Sequence, residues 1–353
     1  MRRRVAIAGA GIGAAHLEGY LANPDLFEVA VIADLDGERA KPLVERSGAA
    51  YLSSLDEAVE RPDIDIIDIC LPPKLHKKAI LACLAKSKHV VCEKPLVGSL
   101  KDIDEIEQAS ALSSRIVMPV FQYRFGQGIG QLLDLIEKKL TGRPLIATLE
   151  THWNRGADYY AVPWRGKWET ELGGAIVGHA IHIHDLLLRV LGPAKGVQAR
   201  LTTAVNPIEV EDCAAIIIET ESGAVVTSSV TLGSADDRSR LRFCFTEMSA
   251  ESGLDAYNPG TAPWTFKARA PSLQASIDAA VAAYPPHQEG FARQFAFLHD
   301  ALANKTPPPV TLADARRSLE LITAIYQADR TKRRIDLPLS DDSPGYAGWV
   351  PAS

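Results

Sequence analysis

Three short stretches of this chain set polar or charged groups beside apolar runs that would hold them in place. The first is Gly9-Ala10-Gly11-Ile12-Gly13, directly after Arg4-Val5-Ala6-Ile7-Ala8, with Asp34 closing a second apolar run about twenty residues later. The second is Glu93-Lys94-Pro95, at the end of His89-Val90-Val91-Cys92. The third is the group His179, His182, His184 and Asp185. Glycines let a backbone turn sharply and approach a phosphate pair, and the next helix offers unpaired N–H groups. An acid at the end of the following strand accepts hydrogen bonds from a ribose. The order strand, glycines, helix, strand, acid therefore predicts a dinucleotide site at Gly9, Gly11, Ile12, Gly13 and Asp34. Read literally, the third glycine position of the pattern is Ala14, and Gly13 comes one place early.

Lys94 is the first candidate for proton chemistry. A lysine at the carboxyl end of a central strand, fixed by Pro95, projects into the crevice, where partial burial lowers an amine's pKa. Such a group can share or relay the proton of an alcohol that loses hydride. A structural lysine paired with Glu93 is the competing assignment. In the third stretch, helical spacing puts His179, His182 and Asp185 on one face and His184 on roughly the other. No open-site zinc spacing is matched, so no metal is expected. Gly192-Pro193 ends the helix. Gly178, inside it, costs about 1 kcal/mol relative to alanine, which predicts a close approach at that point.

The elements that must position these groups follow from periodicity. With 353 residues, two domains are expected. Residues 1–124 alternate apolar strand runs with helical patterns, which predicts an α/β Rossmann domain: a parallel sheet with its ligand crevice at the carboxyl ends of the strands. After a helix over 127–140, β-type runs at 145–151, 195–205, 212–221, 224–232 and 239–247 predict an α+β domain (125–340) with an open-faced, mainly antiparallel sheet. Helices over 287–303 and 312–330 are expected to return and cover the junction. The aromatic tail, 341–353, is expected to dock, with a neighbouring subunit as one site for it. A net charge of −6 argues against nucleic acid or an anionic membrane as partner. No stretch approaches eighteen apolar residues, Met1-Arg2-Arg3-Arg4 leads into a strand, and the five cysteines are scattered, so a cytoplasmic protein with reduced thiols is expected.

Several segments together resemble the glucose-fructose oxidoreductase, inositol dehydrogenase and rhizopine-catabolism (Gfo/Idh/MocA) oxidoreductases. They are Gly9 to Gly13 followed by His16, Cys70-Leu71-Pro72-Pro73-Lys74-Leu75-His76, His89 to Leu96 with its Glu93-Lys94-Pro95, Gly173-Gly174-Ala175 ahead of His182 and Asp185, and Pro309-Val310-Thr311 ahead of Asp314-Ala315-Arg316. The resemblance implies that Lys94 is the catalytic lysine and His182 a second acid–base group. It implies cofactor contacts from Leu71, Pro72, Glu93 and His76, from Arg124 in Gln122-Tyr123-Arg124, and from Trp164-Arg165. The family's aspartate four residues before the histidine is Gly178 here, and His179 is the residue that could fill the space. Tyr123, Trp153, Arg155, His179, His182 and Asp185 are the candidate substrate contacts; aromatic faces with charged donors suit a sugar, although packing under long loops uses the same residues.

The expected activity is NAD(H)-dependent transfer of hydride to or from a secondary hydroxyl or ketone of a sugar, polyol or derivative. Two alternatives stand beside it: NAD-assisted glycoside cleavage and a non-catalytic NAD-binding regulator. Asp34, followed by Leu35, predicts NAD over NADP by at least tenfold, roughly 1.4 kcal/mol, with Arg39 facing solvent. A homodimer or homotetramer through the open sheet face is expected.

Overall fold

A computed structural model describes residues 2–351 and divides them into two compact units. One holds the chain up to Gln122 together with Gln288–Arg316; the other holds Tyr123–His287 and the chain from Arg317 onward.

In the first unit, six strands lie in the order β3-β2-β1-β4-β5-β6, all parallel: β1 (Arg3–Ala8), β2 (Phe27–Ala33), β3 (Ala50–Leu52), β4 (Ile66–Ile69), β5 (His89–Cys92) and β6 (Val117–Pro119). The central strands are nearly continuous Val, Ile and Ala because helices cover both faces of a parallel sheet. The edge strand β3 has only three residues, mostly exposed, and no apolar run announced it. Helices α1 (Gly13–Leu21), α2 (Gly37–Ser47), α3 (Leu55–Glu60), α4 (His76–Ala85) and α5 (Leu100–Ser113) connect these strands. Local chemistry starts and stops them. Asp36 accepts from the N–H groups of Glu38 and Arg39, Ser54 and Ser99 cap α3 and α5, and left-handed Gly48 ends α2. Strand order reverses between β1 and β4, which places the crevice beside Gly9 and Leu71.

The second unit carries eight strands in the order β13-β12-β11-β7-β10-β9-β8-β14. They are β7 (Pro144–Asn154), β8 (Ala194–Thr202), β9 (Cys213–Thr220), β10 (Val225–Thr231), β11 (Gly233–Phe245), β12 (Met248–Glu251), β13 (Thr265–Ala268) and β14 (Ile335–Asp336). Every pairing among the described residues is antiparallel except β7 with β10. The strands β9 and β10, and β11 and β12, joined by short turns, pair antiparallel, whereas β7 and β10 are separated by helices and by β8 and β9 and are free to run the same way. On one face, alternate residues are left exposed, with Ile146 at 48%, Ile217 at 46% and Val225 at 42%.

One expectation needs correction, and two take a more definite form. The span 125–340 is interrupted, because the helix Gly290–Asn304 belongs to the first unit: Phe291 and Phe295 pack on α1, where a Cβ on Gly19 would stand 2.8 Å from Phe291. The tail docks, as expected, and does so on residues of its own unit. Trp349 is fully buried, stacks on Tyr326 at 6.1 Å and donates from Nε1 to the Leu172 carbonyl at 2.5 Å; residues 352–353 lie outside the described range. Finally, Trp168–Leu191 is long and apolar enough to cross a membrane, but 83% of its most apolar window is buried inside the protein. The helix Pro271–Ala283 was also not anticipated.

Candidate active site

In the first unit the glycines divide the labour of the loop. Gly9 has φ +105°, and a Cβ there would meet the Cys70 carbonyl oxygen at 2.3 Å. Around Gly11 a Cβ would meet nothing within 4 Å, which is the open approach a pyrophosphate requires. Gly13, the early glycine, brings α1 against β1, since a Cβ would lie 2.8 Å from Ile7. Ile12 stands half exposed at the head of α1. Asp34 is buried at the end of β2 and accepts from the N–H groups of Ala10 at 2.7 Å and Asp36 at 2.8 Å. These residues fit a dinucleotide: glycine space for the phosphates, a helix N-terminus and a ribose acid. Arg39 is exposed, as expected, but it also turns back onto the acid. Its Nη2 and Nε reach Asp34 at 2.6 and 3.1 Å, because the first turn of α2 starts three residues after the acid. Burial raises the Asp34 pKa, but Arg39 and the two N–H donors outweigh it and hold the carboxyl below its usual range.

Lys94 is half-buried directly after β5, and its N–H donates to Glu93 Oε2 at 3.0 Å. Glu93 itself points inward. Its Oε1 lies 3.0 Å from Nε2 of His16, whose Nδ1 lies 2.8 Å from Asp68. All three are buried. Against burial, which lowers it, the Asp68 carboxylate holds the His16 pKa well above the ordinary value. Cys70 joins this cluster at 3.4 Å from His16, and burial pushes its thiol up to about 12. His16, Asp68 and Cys70 converge closely enough to be considered as cation ligands, yet the thiol stays protonated and both ring nitrogens face carboxylates. His76 departs from its expected role. Fully buried, it places Nδ1 2.9 Å from the Pro95 carbonyl and Nε2 2.7 Å from that of Leu71, so it clamps two strand-end loops together. Leu71 and Pro72 remain at the crevice edge, half-buried.

In the second unit, His179 sits in a π-helical turn, Ile176–Ala180, that precedes the α-helix Ile181–Leu191 carrying His182 and Asp185. The wider turn changes the register predicted from a continuous helix, and such turns concentrate at functional positions. His179 meets Trp153 edge-on at 5.1 Å and Tyr159, whose hydroxyl lies 3.2 Å from Nε2. His182 stacks on buried Tyr123 at 4.3 Å. Asp185 is taken up by Arg124 in two 2.6 Å bonds, both side chains almost completely buried. That bidentate pair makes Arg124 a partner of Asp185 rather than a free cofactor donor. His184 faces away, 3.0 Å from Ser228, and burial pushes its pKa down to about 4.

Around His179 the aromatic and cationic groups interleave. Arg155 lies 4.8 Å above Trp153 and pairs with Asp237 at 3.0 Å, while Tyr257 donates to Asp237 at 3.2 Å. Arg165 lies 3.9 Å over Tyr159 and 4.4 Å over Trp164. At Gly178 no protein group makes the close approach: a Cβ there would meet only Glu171 Oε1, at an ordinary 3.8 Å. Glu171 is thus the carboxylate beside the glycine, held by the Gly166 N–H at 2.5 Å and 3.5 Å from Arg165. Glu171, Tyr257, Asp237 and the His16–Asp68 pair were absent from the sequence reading. No spacing pattern marks them; only His16 had a signal, its place after the glycines.

The GG turn ahead of His179 is fixed from behind. Glu211, buried, accepts from the N–H groups of Gly174 at 3.1 Å and Ile176 at 3.0 Å and from the Tyr326 hydroxyl at 2.9 Å. Burial nevertheless pushes its pKa up to about 7.

Residues 3–121 match the family described as "Oxidoreductase family, NAD-binding Rossmann fold", and residues 129–251 match the "GFO/IDH/MocA C-terminal domain". The chain is 33% identical to inositol 2-dehydrogenase of Mycolicibacterium smegmatis over 40% of this chain and 42% of that protein. It is 30% identical to 4-carboxy-2-hydroxymuconate-6-semialdehyde dehydrogenase of a Sphingobium species, over 65% of this chain and 71% of the other. The alignments to two inositol dehydrogenases, from M. smegmatis and Thermotoga maritima, thus span about half of those relatives, 42% and 55%. Among solved structures, the WlbA dehydrogenase of Chromobacterium violaceum in complex with NADH and UDP-GlcNAcA has a TM-score of 0.84 at 27% identity, over 96% of this chain and 97% of the other. Levoglucosan dehydrogenase, at 21% identity and a TM-score of 0.81 over 96% of this chain and 100% of the other, shares the fold. With the NAD-binding loop, the Glu-Lys-Pro segment and the open sheet in place, the chain belongs to the Gfo/Idh/MocA family of NAD-binding oxidoreductases.

Proposed function

We propose that this protein moves hydride between NAD(H) and a secondary hydroxyl, or the matching ketone, of a sugar, polyol or sugar derivative. The observation that carries the reading is Lys94, a half-buried amine on the strand end of the same sheet that presents the glycine loop and Asp34, with its backbone anchored by Glu93. Gly9 to Gly13 and the N-terminus of α1 would hold the pyrophosphate and Asp34 the ribose. When bound, NAD supplies the hydride acceptor at its nicotinamide C4. Lys94 takes up the hydroxyl proton; in the second unit, stacking on Tyr123 orients the ring of His182, the other acid–base candidate. The Trp153, Tyr159, Arg155 and Arg165 cluster around His179 supports a polyhydroxylated ligand, whose C–H faces stack on rings while its hydroxyls bond the charged groups. The NADH complexes with sugar nucleotides among related structures favour the same class.

NADH formation by the purified protein across a panel of sugars, polyols and uronates tests the reading. Turnover with at least one member is expected; NAD binding without turnover on any of them points to a regulator. Released aglycone without net NADH points to glycoside cleavage. The open sheet face, with Ile146, Ile217 and Val225 exposed, supports a homodimer or homotetramer, and a stable mass near 38.2 kDa in light scattering would remove that part. A cytoplasmic location fits five free, largely buried thiols.

A further inference from the structure

The ribose acid is already saturated. Oδ1 of Asp34 accepts from the Asp36 N–H at 2.8 Å and from Arg39 Nη2 at 2.6 Å; Oδ2 accepts from the Ala10 N–H at 2.7 Å and from Arg39 Nε at 3.1 Å. A carboxylate has about four lone-pair positions, and all are engaged. The two backbone donors belong to the glycine loop and to the turn into α2 and cannot leave without dismantling them. Arg39 can leave, since its side chain is 54% exposed while that of Asp34 is 2% exposed. Its other close charge, Asp36, is engaged with the first N–H groups of α2. Leu35, between the acids, is 90% exposed and restrains nothing.

We infer that Arg39 is a displaceable competitor at the adenosine ribose subsite, and that it sets the cofactor selectivity together with Asp34. For NAD, the two ribose hydroxyls need the lone pairs that Arg39 fills, so the guanidinium has to rotate out before both bonds form. For NADP, the same freed guanidinium meets the 2′-phosphate in a two-bond fork, the geometry arginine shares with phosphate. Asp34 alone would reject the phosphate strongly; Arg39 narrows the gap by weakening NAD and supporting NADP. The inference rests on the dinucleotide reading of this loop but concerns a residue outside the glycine motif.

Titration calorimetry of the full chain and of Arg39→Ala with NAD and with NADP separates these effects without any turnover. Removing a half-exposed ion-pair partner is expected to tighten NAD by about two- to fivefold. Removing the phosphate fork is expected to weaken NADP by about tenfold or more. Weaker NAD binding in Arg39→Ala, or unchanged constants for both cofactors, overturns the inference and leaves the NAD assignment standing. Failure of the unaltered protein to bind either dinucleotide overturns both.

Discussion

Nε2 of His16 lies 3.0 Å from Oε1 of Glu93, the residue that precedes Lys94. With Nδ1 held by Asp68, the imidazolium bridges two buried carboxylates, offsets one of their two charges, and ties α1, behind the glycine loop, to the end of β5. Replacement of His16 by Leu leaves those carboxylates buried without their cation, and unfolding stability is expected to fall by about 3–5 kcal/mol, read by urea denaturation. The folded pKa of His16 is raised, so the stabilisation is fully present below pH 6.5 and is lost as pH rises through the folded value. A loss under 1 kcal/mol, by the ~1 kcal/mol scale of exposed ion pairs, would mean that the network is not ionised.

Lys94→Met removes the amine and keeps the length of the side chain. Turnover is expected to drop by about 100-fold or more, while the dissociation constant for NAD stays close to that of the parent. Near-normal turnover would withdraw Lys94 from the chemistry.

Gly178 and Glu171 make a linked pair of tests. Because a Cβ at position 178 meets nothing closer than 3.8 Å, Gly178→Ala should fold normally and gain up to about 1 kcal/mol; marked destabilisation in thermal unfolding would reveal a close approach after all. Glu171→Gln removes the carboxylate that faces this position and Arg165. We expect turnover to fall by about 100-fold with little change in NAD affinity, and an unaltered kcat would reduce Glu171 to a loop anchor.

Glu211 gives the second unit a pH signature. Its folded pKa, about 7, lies above the ordinary 4.5. The protonated form is therefore the one the fold favours: stability is fully present below pH 4.5 and declines as pH rises through 7, by about 3 kcal/mol in all. Glu211→Gln should flatten the profile of stability against pH over that interval. A parallel profile in the variant would place the titration elsewhere.

What the sequence by itself determined is what short-range physics encodes. Gly9, Gly11 and Gly13 after an apolar strand, Asp34 at the end of the next, and Lys94 between Glu93 and Pro95 are read from neighbours a few residues apart, and strand and helix periods obey the same locality. The tertiary structure alone decided the partners. Arg39 turned onto Asp34 because α2 begins where it does; His76 became a backbone clamp; Arg124 and Asp185, sixty-one residues apart, closed on each other. Likewise Tyr159 and Glu171 reached the neighbourhood of His179 and Gly178 through a loop and a π-turn, and Phe291 carried its helix back to α1. Such pairings depend on burial and on how charges leave water, which are properties of the packed chain and not of any window of residues along it.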